Sequence, residues 1–296
     1  MKLLKLISFL FVLSLFLGCH KETNKSEAVS NTQPIVEQVD SLVSLVKSIT
    51  AGFEQVVTLD HHRMAKEVGV YTPASILSIF SNKKVNANLL QENQLVGLDL
   101  PFKILCYSEP DTTEVKLAFT SAEFIQKRHG LDLSLLREYN SLITEVIAQL
   151  PKRVIAKNDN SKVDKGYGIV NIKSDYDYIT TIQKIKTVVK SQADTKWFAD
   201  IDYQKAAIEI DISIRPTMLL LFGGPAPGGK AMMTSPRIGL DAFCQKLLVY
   251  ENKDGEVWLA YNDIVSFAKL YYQTSTKPQQ LINERLKTTF TKAVSK

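Results

Sequence analysis

Cysteine is scarce in this chain of 296 residues, with only Cys19, Cys106 and Cys244, and no CxxC pair. No dithiol redox mechanism can therefore be named. Histidine is limited to four residues, His20, His61, His62 and His129, all in the first half. No Ser-His-Asp order and no paired-glutamate spacing stands out, so no covalent mechanism can be named. Charge of one sign is lacking too. The 36 basic and 31 acidic residues are interspersed, and the formal charge of +5 falls to +3 without Lys2 and Lys5. That leaves no nucleic-acid footprint. After the first eighteen residues no apolar run is long enough to span a bilayer. With 45% apolar residues and only 13 glycines, the rest is an ordinary globular body, long enough for two domains.

The start of the chain is organised differently. Lys2 and Lys5 precede a run, residues 6–17, that is almost wholly apolar, and Gly18 puts a small residue before Cys19. This resembles a bacterial lipoprotein signal, which implies cleavage before Cys19 and lipidation of its thiol. Phe16 departs from the usual pattern, in which Leu stands at that place. The expectation is an exported, lipid-anchored protein of the cell envelope, attached to the membrane through Cys19. His20 in place of Asp points to the outer rather than the inner membrane. Residues 19–33 are polar and read as a flexible tether.

A run in the second half looks like a phosphate loop. From Gly224, four residues lead to Gly229 and Lys230, but Ala231 stands where a magnesium-binding hydroxyl is needed, and Pro236 follows too soon for a long helix. Neither nucleotide nor any other cofactor is expected. The glycines read as a tight turn, with Gly223, Gly224, Gly228 and Gly229 as candidates for a backbone site that holds a small anion.

The chain also repeats itself. A shift of 142 positions aligns SILSIFSN (75–82) with TMLLLFGG (217–224), VGLD (96–99) with IGLD (238–241), and EVKLAFT (114–120) with EVWLAYN (256–262). One residue is gained before Lys246 and lost again before Glu256. Each copy opens with a helix, around residues 35–46 and 179–189, where apolar side chains share one face. Strand-like runs follow at 53–59, 76–80, 102–107 and 115–119, and at 197–201, 218–222, 246–250 and 257–261. A helical tail closes each copy, interrupted by Pro278 in the second, and a further strand is expected at 166–172. The boundaries are a signal at 1–18, a tether at 19–33, a first domain at 34–155, a linker at 156–165 and a second domain at 166–296. The fold class is α+β: two tandem copies of a small domain, each a roughly four-stranded, mainly antiparallel sheet with helices on one face, arranged as a pseudo-dimer.

An Asp-His after a strand, an F-G-x-P loop after the next, then G-L-D-L-P and V-W-x-x-Y-N-D resemble the family known as Domain of Unknown Function 302. The second copy carries Phe222, Gly223, Pro225, Gly239, Leu240, Asp241, Trp258, Tyr261, Asn262 and Asp263. The first carries Asp60, His61, Gly97, Leu98, Asp99, Pro101, Arg128, His129 and Gly130. The resemblance implies a small α+β domain that can pair with itself, and no established reaction.

Asp60, His61 and His129 form the candidate ligand or metal group, because a carboxylate with neutral imidazoles suits several first-row metals. The opposing reading is a histidine that hydrogen-bonds to hold its turn. His61 and His62, taken as strand neighbours, point to opposite faces. Tyr203 and Gln204 replace them in the second copy, so no second site is expected there. Asp99 and Asp241 read as turn or helix caps. Cys106 and Cys244 are expected as free, buried thiols. Without a nucleophile or base pair, a non-catalytic module binding a small molecule or a protein is favoured over an enzyme. Any site should be single and asymmetric, with ionisable groups from copy one and backbone and packing from copy two.

Overall fold

The computed structural model describes residues 25–296, so the lipoprotein-like segment with Cys19 lies outside the described residues. Copy one runs α1 (Lys25–Ile49), β1 (Glu54–Asp60), α2 (His61–Glu67), β2 (Ser75–Ser81), α3 (Lys83–Glu92), a 3-10 turn (Gln94–Leu98), β3 (Phe102–Ser108), β4 (Val115–Phe119), α4 (Ala122–His129) and α5 (Arg137–Ala148). Copy two runs β5 (Ile169–Lys173), α6 (Tyr178–Lys190), β6 (Lys196–Asp202), α7 (Tyr203–Ile208), β7 (Thr217–Gly223), α8 (Pro225–Met232), a second 3-10 turn (Pro236–Leu240), β8 (Gln245–Glu251), β9 (Val257–Asn262), α9 (Ile264–Tyr272) and α10 (Lys277–Val294). All strand pairs are antiparallel, in the orders β1-β2-β3-β4 and β5-β9-β8-β7-β6. The second sheet therefore has five strands, because β5 adds to its edge.

Every residue of β2 and β3 is buried. Side chains of a strand alternate between faces, so burial of all of them means that both faces of the sheet are covered. One face packs under α1; Phe102 of β3 stacks on Phe80 and Tyr139 there. The other face meets copy two. The 3-10 turn of each copy lies on the sheet of the other, Pro236–Leu240 against β2 and β3, and Gln94–Leu98 against β7, β8 and β9. A continuous apolar core joins Leu77 and Leu105 of copy one to Leu219 and Leu248 of copy two. The pairing is pseudo-symmetric in detail. A Cβ on Gly97 would stand 2.6 Å from Leu248 and 3.3 Å from Tyr203, and a Cβ on Gly239 would stand 3.2 Å from Leu105 and 3.4 Å from His61. These are equivalent residues under the repeat.

The linker is not loose. Arg237 donates to the carbonyl of Lys157 at 2.9 Å and to Asn158 Oδ1 at 2.7 Å, and Lys127 donates to the carbonyl of Asn160. The first helical tail, expected as one element, divides into α4 and α5, because Gly130 ends α4 in the left-handed conformation at φ 65°. Helix α1 begins at Lys25, inside the stretch read as a tether.

The glycine run is a helix rather than a turn. Gly223 ends β7, Gly224 caps α8, and Gly228 and Gly229 lie within α8. Their use is proximity: a Cβ on Gly229 would stand 2.7 Å from Ala65 Cβ on α2, so α8 can lie directly against α2. The anion site read there is not built as expected. Pro225 and Pro227 have no N–H to offer, and the Gly228 N–H donates to the Gly224 carbonyl at 2.7 Å. Replacement of Gly229 by Ala separates two opposing effects. Helix propensity alone would favour Ala by about 1 kcal/mol, whereas overpacking costs about 1–3 kcal/mol. Net destabilisation in urea denaturation is the expected outcome, and stabilisation would show that α8 does not rest on α2.

Candidate functional site

Lysines interrupt two otherwise apolar buried strands, Lys103 in β3 and Lys246 in β8. Each shares a strand face with the leucine two positions on, Leu105 or Leu248, which packs against the other copy. Both lysines thus enter the seam between the copies. Lys103 Nζ donates to Asp241 Oδ1 at 3.0 Å, across the seam, and lies 3.5 Å from Asp99 Oδ1. Asp99 also accepts from Arg128 at 2.8 and 2.9 Å and from His129 Nε2 at 2.7 Å. Arg128 then reaches into copy two, donating to Asn262 Oδ1 at 2.6 Å and to the Tyr167 carbonyl at 2.9 Å, with its guanidinium 5.0 Å from the Phe267 ring centre. Asn262 donates to the Asp241 carbonyl, and Tyr271 OH donates to the Asp241 carboxylate. Lys246 has no carboxylate partner and donates to the carbonyls of Leu240 and Cys244.

All of these charged side chains are buried. Burial alone would push the Asp99 carboxyl up, but Arg128, Lys103 and the His129 hydrogen bond hold it well below the usual carboxylate range. Burial pushes Lys246 down to about 8. It also lowers His129, against the pull of Asp99, so that imidazole is neutral, donates through Nε2 and leaves Nδ1 without a partner. Each of these charged groups is thus met by a charged or polar partner within the protein.

A second feature of the seam is unfilled. Tyr203, the first residue of α7, donates its hydroxyl to the Gly97 carbonyl at 3.1 Å. His61, its equivalent at the start of α2, is a shorter side chain. Its ring is buried, with the residue 8% exposed, and Nε2 has no hydrogen-bond partner. Burial, with the charge of Lys246 added, lowers its pKa to about 3, so it is neutral. Beside it lies a cavity of about 20 Å³, enough for roughly one water-sized group. Its walls are His61 and Met64 from α2, Gly228, Gly229 and Met232 from α8, Phe198 from β6, and Phe243 and Cys244 ahead of β8. Copy one supplies the imidazole, and copy two supplies mainly backbone and packing.

The other sequence candidates fall elsewhere. Asp60 is the N-cap of α2, accepting from the Arg63 N–H at 2.8 Å and pairing with the Arg63 guanidinium, which also binds Asp40. His62 lies 2.6 Å from the Thr72 carbonyl through Nδ1. His129 belongs to the Asp99 cluster. Asp60, His61 and His129 are therefore not one site, and among the described residues no group of three or more His, Cys, Asp or Glu could hold a metal ion. Cys106 and Cys244 are free and buried. Sequence reading missed the Asp99–Asp241 cluster, treating both aspartates as caps. The available signal was a lysine in each matching apolar strand, just after each repeated Gly-Leu-Asp.

Two linked α+β repeats with a charged joint and one seam cavity define the class of this protein. It belongs to the DUF302 family, "Domain of unknown function DUF302", whose model matches residues 27–155 and 170–293. It is similar to proteins named Fluoride-specific ion channel FluC 1 from Brucella suis biovar 1 and Brucella abortus biovar 1. Each is 32% identical over 106 residues, which is 36% of this chain and 41% or 38% of those proteins. The chain thus spans about two-fifths of the curated relatives it matches. A crystal structure of an uncharacterized conserved DUF302 protein from Bacillus stearothermophilus aligns with 43% of this chain and 95% of its own, at 12% identity and a TM-score of 0.36.

Arg128 has Leu270 at its equivalent position, so Arg128→Leu is a substitution that the repeat itself contains. It should nevertheless destabilise by about 3–5 kcal/mol, because it strips a buried carboxylate of its main cation. Urea denaturation reads this directly. A loss below about 1 kcal/mol would mean that Asp99 is solvated or neutral in the folded chain.

Proposed function

We propose that this protein is an exported, lipid-anchored module of the cell envelope that binds one very small ligand in the seam cavity and performs no chemistry on it. One observation carries the binding reading: His61, whose buried Nε2 has no partner, lines unfilled space, whereas the tyrosine at the mirror position is hydrogen-bonded. A buried polar atom without a partner is unfavourable by about 1–3 kcal/mol, which a ligand that pairs with it would relieve. The non-catalytic reading rests on the wall composition. His61 and Cys244 are its only titratable side chains, with no carboxylate to work against the imidazole. Anchoring rests on the basic start, the apolar run and Gly18-Cys19. Among the described residues no helix is long and apolar enough to cross a membrane. The names of the Brucella relatives make fluoride, a suitably small ion, one of the ligands to titrate.

Cys19→Ser should leave an unprocessed precursor without acyl label. Cleavage and labelling as in the unaltered chain would end the lipoprotein reading. His61→Tyr, which copies the residue of copy two, should raise stability at neutral pH by about 1 kcal/mol and abolish ligand-induced rises in melting temperature. The variant also has a pH signature. An unfolded imidazole takes up its proton near pH 6.5, whereas folded His61 does so only near 3, so the unfolded chain binds more protons between those values. Stability should thus fall by up to about 1.4 kcal/mol per pH unit as pH drops through that window. His61→Tyr removes this part of the loss. Equal acid sensitivity in both proteins would show that His61 is not buried as a neutral group.

A further inference from the structure

The cavity wall has a donor chemistry that the small-ligand reading leaves unnamed. Four of its side chains carry soft or borderline donors: the imidazole of His61, the thiol of Cys244, and the thioethers of Met232 and Met64. They come from both copies. His61 Cδ2 and Met232 Cε both lie against Gly239, 3.4 and 2.8 Å from where its Cβ would stand, so the Cδ2 side of the imidazole and the end of the Met232 side chain share that part of the seam. Cys244 Cβ lies 3.9 Å from the corresponding point on Gly223. His61 Nε2 is buried and unpartnered, and Cys244 forms no disulfide. No carboxylate lines the space, so ions that prefer oxygen lack a ligand there.

Building on the small-ligand reading, we propose that the seam cavity is a site for a soft monovalent metal ion, Cu(I) or Ag(I), held by His61 Nε2, Cys244 Sγ and Met232 Sδ, with Met64 at its edge. Thiolate and thioether donors select such ions. The charge balance selects them as well. As the sulfur–metal bond forms, the Cys244 thiol releases its proton to solvent, so a monovalent ion takes the place of H⁺ and the net charge of the site is unchanged. A divalent ion would leave an extra positive charge beside buried Lys246, whose Nζ is 3.4 Å from the Cys244 carbonyl oxygen. No redox step is involved, because the ion enters and stays in its reduced state. At about 20 Å³ the space admits a single ion and excludes a chelated one.

The test uses the full chain in detergent with Cys19→Ser, so that no thiol outside the fold competes. It is titrated anaerobically with silver nitrate, and with Cu(I) against a chromophoric chelator. One equivalent should bind, with a rise in melting temperature and with sulfur and nitrogen neighbours in the copper X-ray absorption spectrum. Cys244→Ala and the volume-conserving Met232→Leu should each weaken binding by at least about tenfold. Cys106→Ala should bind as before, because Cys106 points to the opposite face of its strand from Lys103 and Leu105. Unchanged binding in folded Met232→Leu and Cys244→Ala, or loss of binding in Cys106→Ala, overturns the assignment. If neither ion binds but sodium fluoride raises the melting temperature of the His61 protein and not of His61→Tyr, the metal site falls and the small-ligand reading stands. If no probe binds, both fall.

Discussion

The Asp99 carboxylate sits where the two copies meet, and the seam depends on satisfying it. Removing a carboxylate from water is unfavourable by several kcal/mol unless cations and hydrogen bonds replace the solvent. Here His129, Arg128 and Lys103, all from its own copy, surround it, but the two cations, Arg128 and Lys103, are themselves completed by the other copy, through Asp241, Asn262 and the Tyr167 carbonyl. Neither copy can bury its own charges without the second. The joint also fixes position. Apolar surfaces such as Leu105 and Leu248 can slide with little penalty, whereas a one-residue slip would leave Lys103 and Asp241 buried and apart.

Linking the copies in one chain allowed equivalent positions to diverge without breaking the pairing. His129 and Tyr271 each bond the aspartate of their own copy, so different side chains do the same work. Arg128 has only Leu270 opposite it, which makes the joint lopsided. His61 and Tyr203 differ in reach, and only the tyrosine is satisfied. The segment from Gly223 to Gly229 replaces an asparagine-capped helix start, Asn82 before α3, with a glycine-capped one whose Gly229 faces Ala65 of α2. One side of the seam pairs its tyrosine and the other leaves an imidazole nitrogen without a partner, and a self-paired dimer of identical chains could not make that distinction.

Much of this was legible in the sequence, and the parts that were not share a cause. All nine strands lie within about three residues of their expected limits, because alternating or continuous apolar runs bounded by turn residues are a local signal. The repeat exposed the pairing. Helices α2 and α7 were missed because HHRMAKE and YQKAAI are too short to show a period, so His61 was placed on a strand when Asp60 caps a helix. The glycine run was read as a turn because glycine disfavours helix, whereas here the missing side chains let two helices touch. Asp99 and Asp241 were read as caps because local sequence cannot tell whether the far face of a sheet meets water or another copy. Lys103 and Lys246 held that information: a lysine inside an otherwise apolar strand must find a buried partner.

The cavity is small, and its energetic weight lies mostly in polarity rather than volume. At about 24 cal/mol per Å³, a gap of about 20 Å³ costs roughly half a kcal/mol. The unpartnered Nε2 of His61 adds about 1–3 kcal/mol. Together these are a noticeable fraction of the stability of an ordinary domain, and the hydrogen-bonded tyrosine in the mirror position avoids the second of them. The unpaired nitrogen therefore does not follow from the fold. It arises from a particular side chain, at a place where the neighbouring glycines, methionines and thiol come from the other copy. Any group that enters must present a partner to an imidazole nitrogen, fit in the volume of about one water and tolerate an apolar, sulfur-rich wall. A gap of that size has no room for a nucleotide, a sugar or a peptide, which limits the occupants compatible with the proposed binding to single ions and molecules of very few atoms.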